Sequence, residues 1–272
     1  MNRWRWPLSI LALLATLAVF VAPFAFIVLT AGMDRVQASQ LQLAWPKNPQ
    51  VWQNLVDVFK TRDYMLVTAF INSAILTVVS VSVMTLLSAM VAFLIQRRPD
   101  GFSRVANFLV MAGLIIPPAI VPTIWVLQRI GLFKTMPGMI FIEVAYGLAF
   151  CTMIFRAFIS TIPRELDEAA IVDGAGPIRL FFTIVFPLLK PTIVTAVVTQ
   201  SVAVFNDFVN PLYYLPSAPT VQLTLYNFQS QYTSQYNLLF MDILLITIPP
   251  LVVFVLFSRQ MVAGMMSGAV KG

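Results

Sequence analysis

Six apolar runs, each long enough to cross a bilayer as a helix, divide this sequence: residues 8–30, 67–95, 105–127, 138–160, 192–213 and 238–257. A spanning helix needs about 20 mostly apolar residues. In lipid, only helices and closed barrels satisfy their own backbone polar groups. The runs imply an all-α polytopic membrane protein of six spans, with residues 1–272 forming one transmembrane domain. Composition agrees, because 10% of the residues are charged, against about 25% in a soluble domain.

The loops orient the runs. Lys and Arg accumulate on the cytoplasmic side of a membrane protein. With the N-terminus inside, the inner segments hold Arg3, Arg5, Arg97, Arg98, Arg104, Arg156, Arg164, Arg179, Lys190, Arg259 and Lys271. The outer segments hold Arg35, Lys47, Lys60, Arg62, Arg129 and Lys134. Eleven against six places both ends in the cytoplasm. The first run exceeds the roughly 7–15 residues of a secretory signal core. It reads as an uncleaved span bent near Pro23. The outer segment after it, residues 31–66, is polar and suits a short helix over 51–60.

Several chemistries drop out. The sequence has no histidine, which removes His-ligated zinc, Ser-His triads and His proton relays. It has no GxxxxGK[ST] loop, so any ATP is bound by another chain. Cys151 is the one cysteine and lies in an apolar run, so there is no intrachain disulfide. No paired carboxylates are evident within the spans, which argues against an intramembrane enzyme. No catalytic residue, metal site or bound cofactor is expected.

The third run contains Pro117, Pro118 and Pro122, so its helix must kink or break. Asn206, Asp207 and Asn210 fall in the fifth run. An ionisable residue at such depth faces a cavity or another helix. Two readings stay open: a polar lining of a solute path, or a structural hydrogen bond between helices. Glu143 and Asp242 lie near run ends and read as interfacial. Tyr213, Tyr214, Tyr226 and Tyr232 read as an interfacial aromatic belt rather than a sugar-stacking set.

Residues 161–191 form an inner loop patterned as a helix–turn–helix. Pro163 suits a first helical turn, and Glu165, Asp167 and Glu168 suit the positive end of the helix dipole. Ala169 and Ala170 favour helix and leave room for close approach. Gly174 is placed to end the helix in a left-handed conformation. Pro177 can start a second short helix, and Pro187 marks the turn toward the next span.

Glu168-Ala169-Ala170, then Gly174, Ile184 and Pro187, match the spacing of the EAA loop of ABC importer permeases, with Phe186 where the pattern has Leu. Asn72-Ser73, Ile116-Pro117-Pro118, Arg129–Thr135, Phe205-Asn206-Asp207-Phe208 and the closing Val262–Gly272 extend the resemblance over nearly the whole chain, toward the smaller permease subunit of maltose-type carbohydrate importers. That resemblance implies a type I ABC importer permease fold. It implies a second permease as heterodimer partner, two cytoplasmic ATPases carrying ATP and Mg, an extracytoplasmic solute-binding protein and a sugar substrate. It also implies that Glu168, Ala169, Ala170, Asp173, Gly174, Ile184 and Pro187 couple to an ATPase. The alternative is a stand-alone, ion-coupled secondary carrier, for which Asp207 is the best titratable candidate. No inverted repeat of the kind common in secondary carriers is evident.

Overall fold

The computed structural model describes residues 5–98, 100–231 and 235–269. All regular structure among them is helical. Four helices are long and apolar enough to span: α1 (Arg5–Ala31), α4 (Met65–Arg97), α7 (Met136–Ile159) and α14 (Tyr236–Ala269). The bent pair Pro177–Leu188 and Lys190–Phe205, which meet at 75°, makes a fifth if counted as one span. The expected count of six is therefore not reached by continuous helices. The third run is divided into α5 (Gly101–Ile115) and α6 (Ile120–Arg129), each too short to span alone. Their break covers Ile116–Ala119, where Pro117 and Pro118 leave the helix ladder unmade.

The helices fall into two compact units. The first comprises Met1–Ala69 and Val221–Ile248. It holds α1, α2 (Arg35–Ala38), α3 (Val51–Lys60), α13 (Val221–Gln231) and the first part of α14. The short helix expected over 51–60 is α3. Polar side chains join these helices. Asn54 on α3 donates to the carbonyls of Ala31 and Met33 at 2.9 and 2.8 Å, satisfying groups at the end of α1. Its own carbonyl accepts from Asn237 at 2.8 Å. Thr224 on α13 donates to Asp242 on α14 at 2.8 Å. Asp242 is fully buried. Depth along a run did not reveal that, because its partner is supplied by another helix.

The second unit comprises Phe70–Thr220 and Pro249–Gly272. Its centre is α7, packed against α5, α11 (Lys190–Phe205) and α12 (Val209–Tyr214). The end of the Met84 side chain on α4 lies over Gly147, where a Cβ would have to displace it. Local signals set the helix ends. Asp100 caps α5 by accepting from the Ser103 backbone N–H at 2.9 Å, which holds its carboxyl below the ordinary value. Thr135 caps α7 through the Gly138 N–H at 3.1 Å. Tyr214 is buried and shares a 3.1 Å hydrogen bond with Tyr146, so it is not part of an exposed belt. Tyr213 and Tyr226 are exposed, and Tyr232 lies outside the described residues.

Candidate functional site

The helix–turn–helix expected over 161–191 is present as α8 (Glu165–Val172) followed by α9 (Pro177–Leu180). Pro163 precedes α8 instead of occupying its first turn, while Pro177 does open α9. Glu165, Asp167 and Glu168 all lie in the first turn of α8, where the helix dipole favours them. Gly174 has φ +79°. Its N–H bonds to Ile171 O at 3.0 Å, and the Ala175 N–H bonds to Ala170 O at 2.9 Å. That is a Schellman ending, which requires a left-handed residue at this position. No atom lies within 4 Å of a Cβ built on Gly174, so the requirement is one of backbone conformation alone.

The loop divides its predicted residues between two faces. Ala170 is buried in the core, and Ile184 packs against it. Glu168, Ala169, Asp173, Gly174 and Pro187 are exposed. Leu166, Ile171, Val172 and Ile178 are also exposed, giving the outer face an apolar character with an acidic start.

One ion pair fixes the loop to the bundle. Arg97, at the end of α4, meets Asp167 with Nε to Oδ2 at 2.6 Å. The Arg97 Nη2 donates to Ile162 O at 3.1 Å. Both side chains are close to nine-tenths buried. A further arginine, Arg156, donates to Gln96 and Asn107. Beside it lies a groove of about 470 Å³ whose walls include Arg97, Arg98, Arg164, Asp167, Glu168 and Ile171. Neither Arg97 nor Asp167 was marked as functional by the sequence. Arg97 counted only toward topology, and a contact between positions so far apart leaves no local pattern.

From Phe181 to Val185 the backbone winds as a π-helix between α9 and α10 (Phe186–Leu188). Single π turns inside helices are frequent at functional sites. Phe93, Phe181, Phe182 and Phe186 cluster around this turn, with ring centroids 5.0–6.1 Å apart.

The second site is a pocket of about 330 Å³. It sits where the fifth apolar run breaks. The run was expected as one continuous helix over 192–213, but α11 stops at Phe205 and α12 starts at Val209. The Asp207 Oδ1 accepts from the N–H groups of Val209 and Asn210 at 2.9 and 3.2 Å, capping α12. Glu143 on α7 faces this break, within hydrogen-bonding reach of Asp207 and Asn210. Two carboxylates that belong to different runs thus meet, and Glu143 is 6% exposed. Asn206 ends α11 as its C-cap and is exposed. Among the described residues no group of three or more His, Cys, Asp and Glu is placed to hold a metal ion.

Comparison with known proteins follows the same lines. Residues 84–266 match the model of the family "Binding-protein-dependent transport system inner membrane component". The probable starch degradation products transport system permease protein AmyC of Thermoanaerobacterium thermosulfurigenes is 27% identical over 98% of this chain and 97% of its own. The melibiose/raffinose/stachyose import permease protein MelC of Bacillus subtilis is 32% identical over 75% of this chain and 76% of its own. The trehalose transport system permease protein SugB of Mycobacterium tuberculosis is 32% identical over 78% and 79%. Among solved structures, a bacterial ABC transporter involved in the import of the acidic polysaccharide alginate superposes with a TM-score of 0.81 at 17% identity, over 95% of this chain and 98% of that chain. The family match covers more than half of the sequence, so this chain belongs to the inner membrane components of binding-protein-dependent transport systems and is a permease subunit of an ABC importer, not a stand-alone carrier.

Proposed function

We propose that this chain forms half of the translocation pathway of an ATP-driven carbohydrate importer, paired with a second permease subunit. In this reading the six apolar runs cross the inner membrane, with both termini cytoplasmic. Residues 161–191 meet one of two cytoplasmic ATPases, which bind ATP and Mg. A solute-binding protein delivers the sugar from outside. The carbohydrate class is supported by the names of several relatives, which are permeases for melibiose, raffinose and stachyose, for trehalose, and for starch degradation products.

One observation carries the coupling role. Helix α8 is pinned by the Arg97–Asp167 pair, while Glu168, Ile171 and Val172 on the same short helix remain exposed for a partner. An isolated loop has no use for a buried ion pair combined with exposed apolar residues. A loop that transmits force from another protein has use for both. Glu168 supplies a charge-assisted contact, worth about 1.5–3 kcal/mol when buried at an interface. Gly174 supplies the left-handed ending, which a residue with a Cβ adopts at a cost of about 1–2 kcal/mol. Asp173, Ala169 and Pro187 complete the exposed face, and Asn206, Asp207 and Asn210 contribute to the pathway at the broken span.

The experiment assembles Glu168→Lys and Gly174→Asp variants with the partner subunits in nanodiscs. Both are expected to insert as wild type does. Both should lose most of the ATP hydrolysis stimulated by the binding protein. Wild-type stimulation and uptake in both variants would reduce the loop to a linker.

A further inference from the structure

The two carboxyls at the broken fifth run need a proton between them. Glu143 on α7 lies within hydrogen-bonding reach of both Asp207 and Asn210. Two carboxylates that close repel each other, and without a counter-charge they do not both stay ionised. No Lys or Arg is among the residues that line the pocket they share. An ionised carboxyl accepts hydrogen bonds and donates none. One proton therefore removes the repulsion and supplies the missing donor together.

The surroundings decide which group holds it. Asp207 is already committed as an acceptor. Its Oδ1 takes the N–H groups of Val209 and Asn210, and such bonds favour the charged form of a carboxyl. Asp207 is also half-buried, whereas Glu143 has almost no water to solvate a charge. The proton accordingly resides on Glu143, whose hydroxyl donates to Asp207. The Asn210 amide reaches the same Glu143 carboxyl and can donate to it. A neutral acid thus serves an acceptor inside the break and a donor on α12. Helix α7 packs against both α11 and α12, so this side chain stands where the two helices join.

We propose that Glu143 is a positioning residue: as a neutral acid it donates to Asp207 and fastens the joint between α11 and α12 to α7, so that the pair carries one negative charge and not two. Helix α11 leads from the loop 161–191 to this joint. With the joint fastened, α12 follows a movement of α11. Unfastened, the joint flexes and absorbs it. Because the role is to hold shape, a neutral side chain of the same outline should replace Glu143.

The test uses the assembled transporter in nanodiscs, with its binding protein, and has two readouts. In the first, Glu143→Ala should lower the ATP hydrolysis stimulated by the binding protein about tenfold, the scale of one buried hydrogen bond to a charged group. Glu143→Gln has an amide that donates to Asp207 and accepts from Asn210, so it should recover the rate to within about threefold of wild type. The second readout is the infrared difference between wild type and Glu143→Gln at neutral pH, with isotope-labelled glutamate. Glu165 and Glu168, the other glutamates of this chain, are common to both samples and cancel. The labelled band lost in Glu143→Gln should be that of a neutral carboxylic acid. Loss of a carboxylate band would mean two ionised groups bridged by a bound cation, and would overturn the proposal. So would an inserted Glu143→Gln variant as slow as Glu143→Ala, or Glu143→Ala at the wild-type rate. If Glu143→Ala fails to insert, the infrared result decides alone. It needs no transport, so a wild-type complex without stimulated hydrolysis would count against the importer reading and leave the proton assignment to the spectrum.

Discussion

Arg97 joins three parts of the second unit. It ends α4, pairs with Asp167 on α8 and donates to the carbonyl of Ile162 between α7 and α8. Removing one partner of a buried pair is costly, because the other charge stays behind without compensation. Arg97→Ala is therefore expected to destabilise the assembled transporter by about 3 kcal/mol, read as a lower unfolding midpoint in detergent. Asp167→Asn keeps a hydrogen-bond acceptor and should cost less. A double-mutant cycle over the two positions separates the pair from its neighbours, and additive effects would show that the pair contributes nothing. Of the individual side chains, those tied to local geometry were legible in the sequence. Gly174 announced its left-handed conformation because a helix-forming stretch ended one residue before it. Asp207 announced itself as a carboxylate within an apolar run. Glu143 did not, since its polar neighbours Asp207 and Asn210 lie more than sixty positions away.

Among the helices, the breaks were read unevenly. The interruption of the third run was legible because Pro117 and Pro118 remove backbone donors outright. The interruption of the fifth was not, since Asn206–Phe208 contains no proline or glycine. That break is held by the Asp207 side chain bonding to the start of α12. The π turn at Phe181–Val185 has no sequence signature either, for it amounts to one additional residue accommodated within an otherwise helical segment. Thr183 sits exposed in that turn, with its hydroxyl donating to Arg179 O at 2.6 Å. Deleting Thr183 should restore the ordinary helix ladder and rotate everything before it by about 100° relative to α11. The deletion variant is expected to insert normally and to lose coupled ATP hydrolysis. Full coupling in the deletion variant would mean that the register between α8 and α11 is immaterial.

For the molecule as a whole, the apolar runs gave the class of fold, and the EAA spacing gave the family. The number of continuous helices was harder to read, because composition alone does not show where a run is divided. The orientation proposed here is open to direct measurement. Reporter fusions after Arg104 and Arg179 should read cytoplasmic, and fusions after Pro46 and Thr224 should read external. An external signal after Arg179 would put α8 out of reach of any ATPase. The 75° bend between Pro177–Leu188 and Lys190–Phe205 has a mechanical consequence if the elbow stays rigid. A push along the first arm reaches the second with only about a quarter of its length directed along that arm, the cosine of 75°. Nearly all of the rest is sideways. The stroke of an engine acting on this subunit therefore arrives as a lateral swing of α11, which parts the pathway wall like a hinged door instead of driving a piston through it.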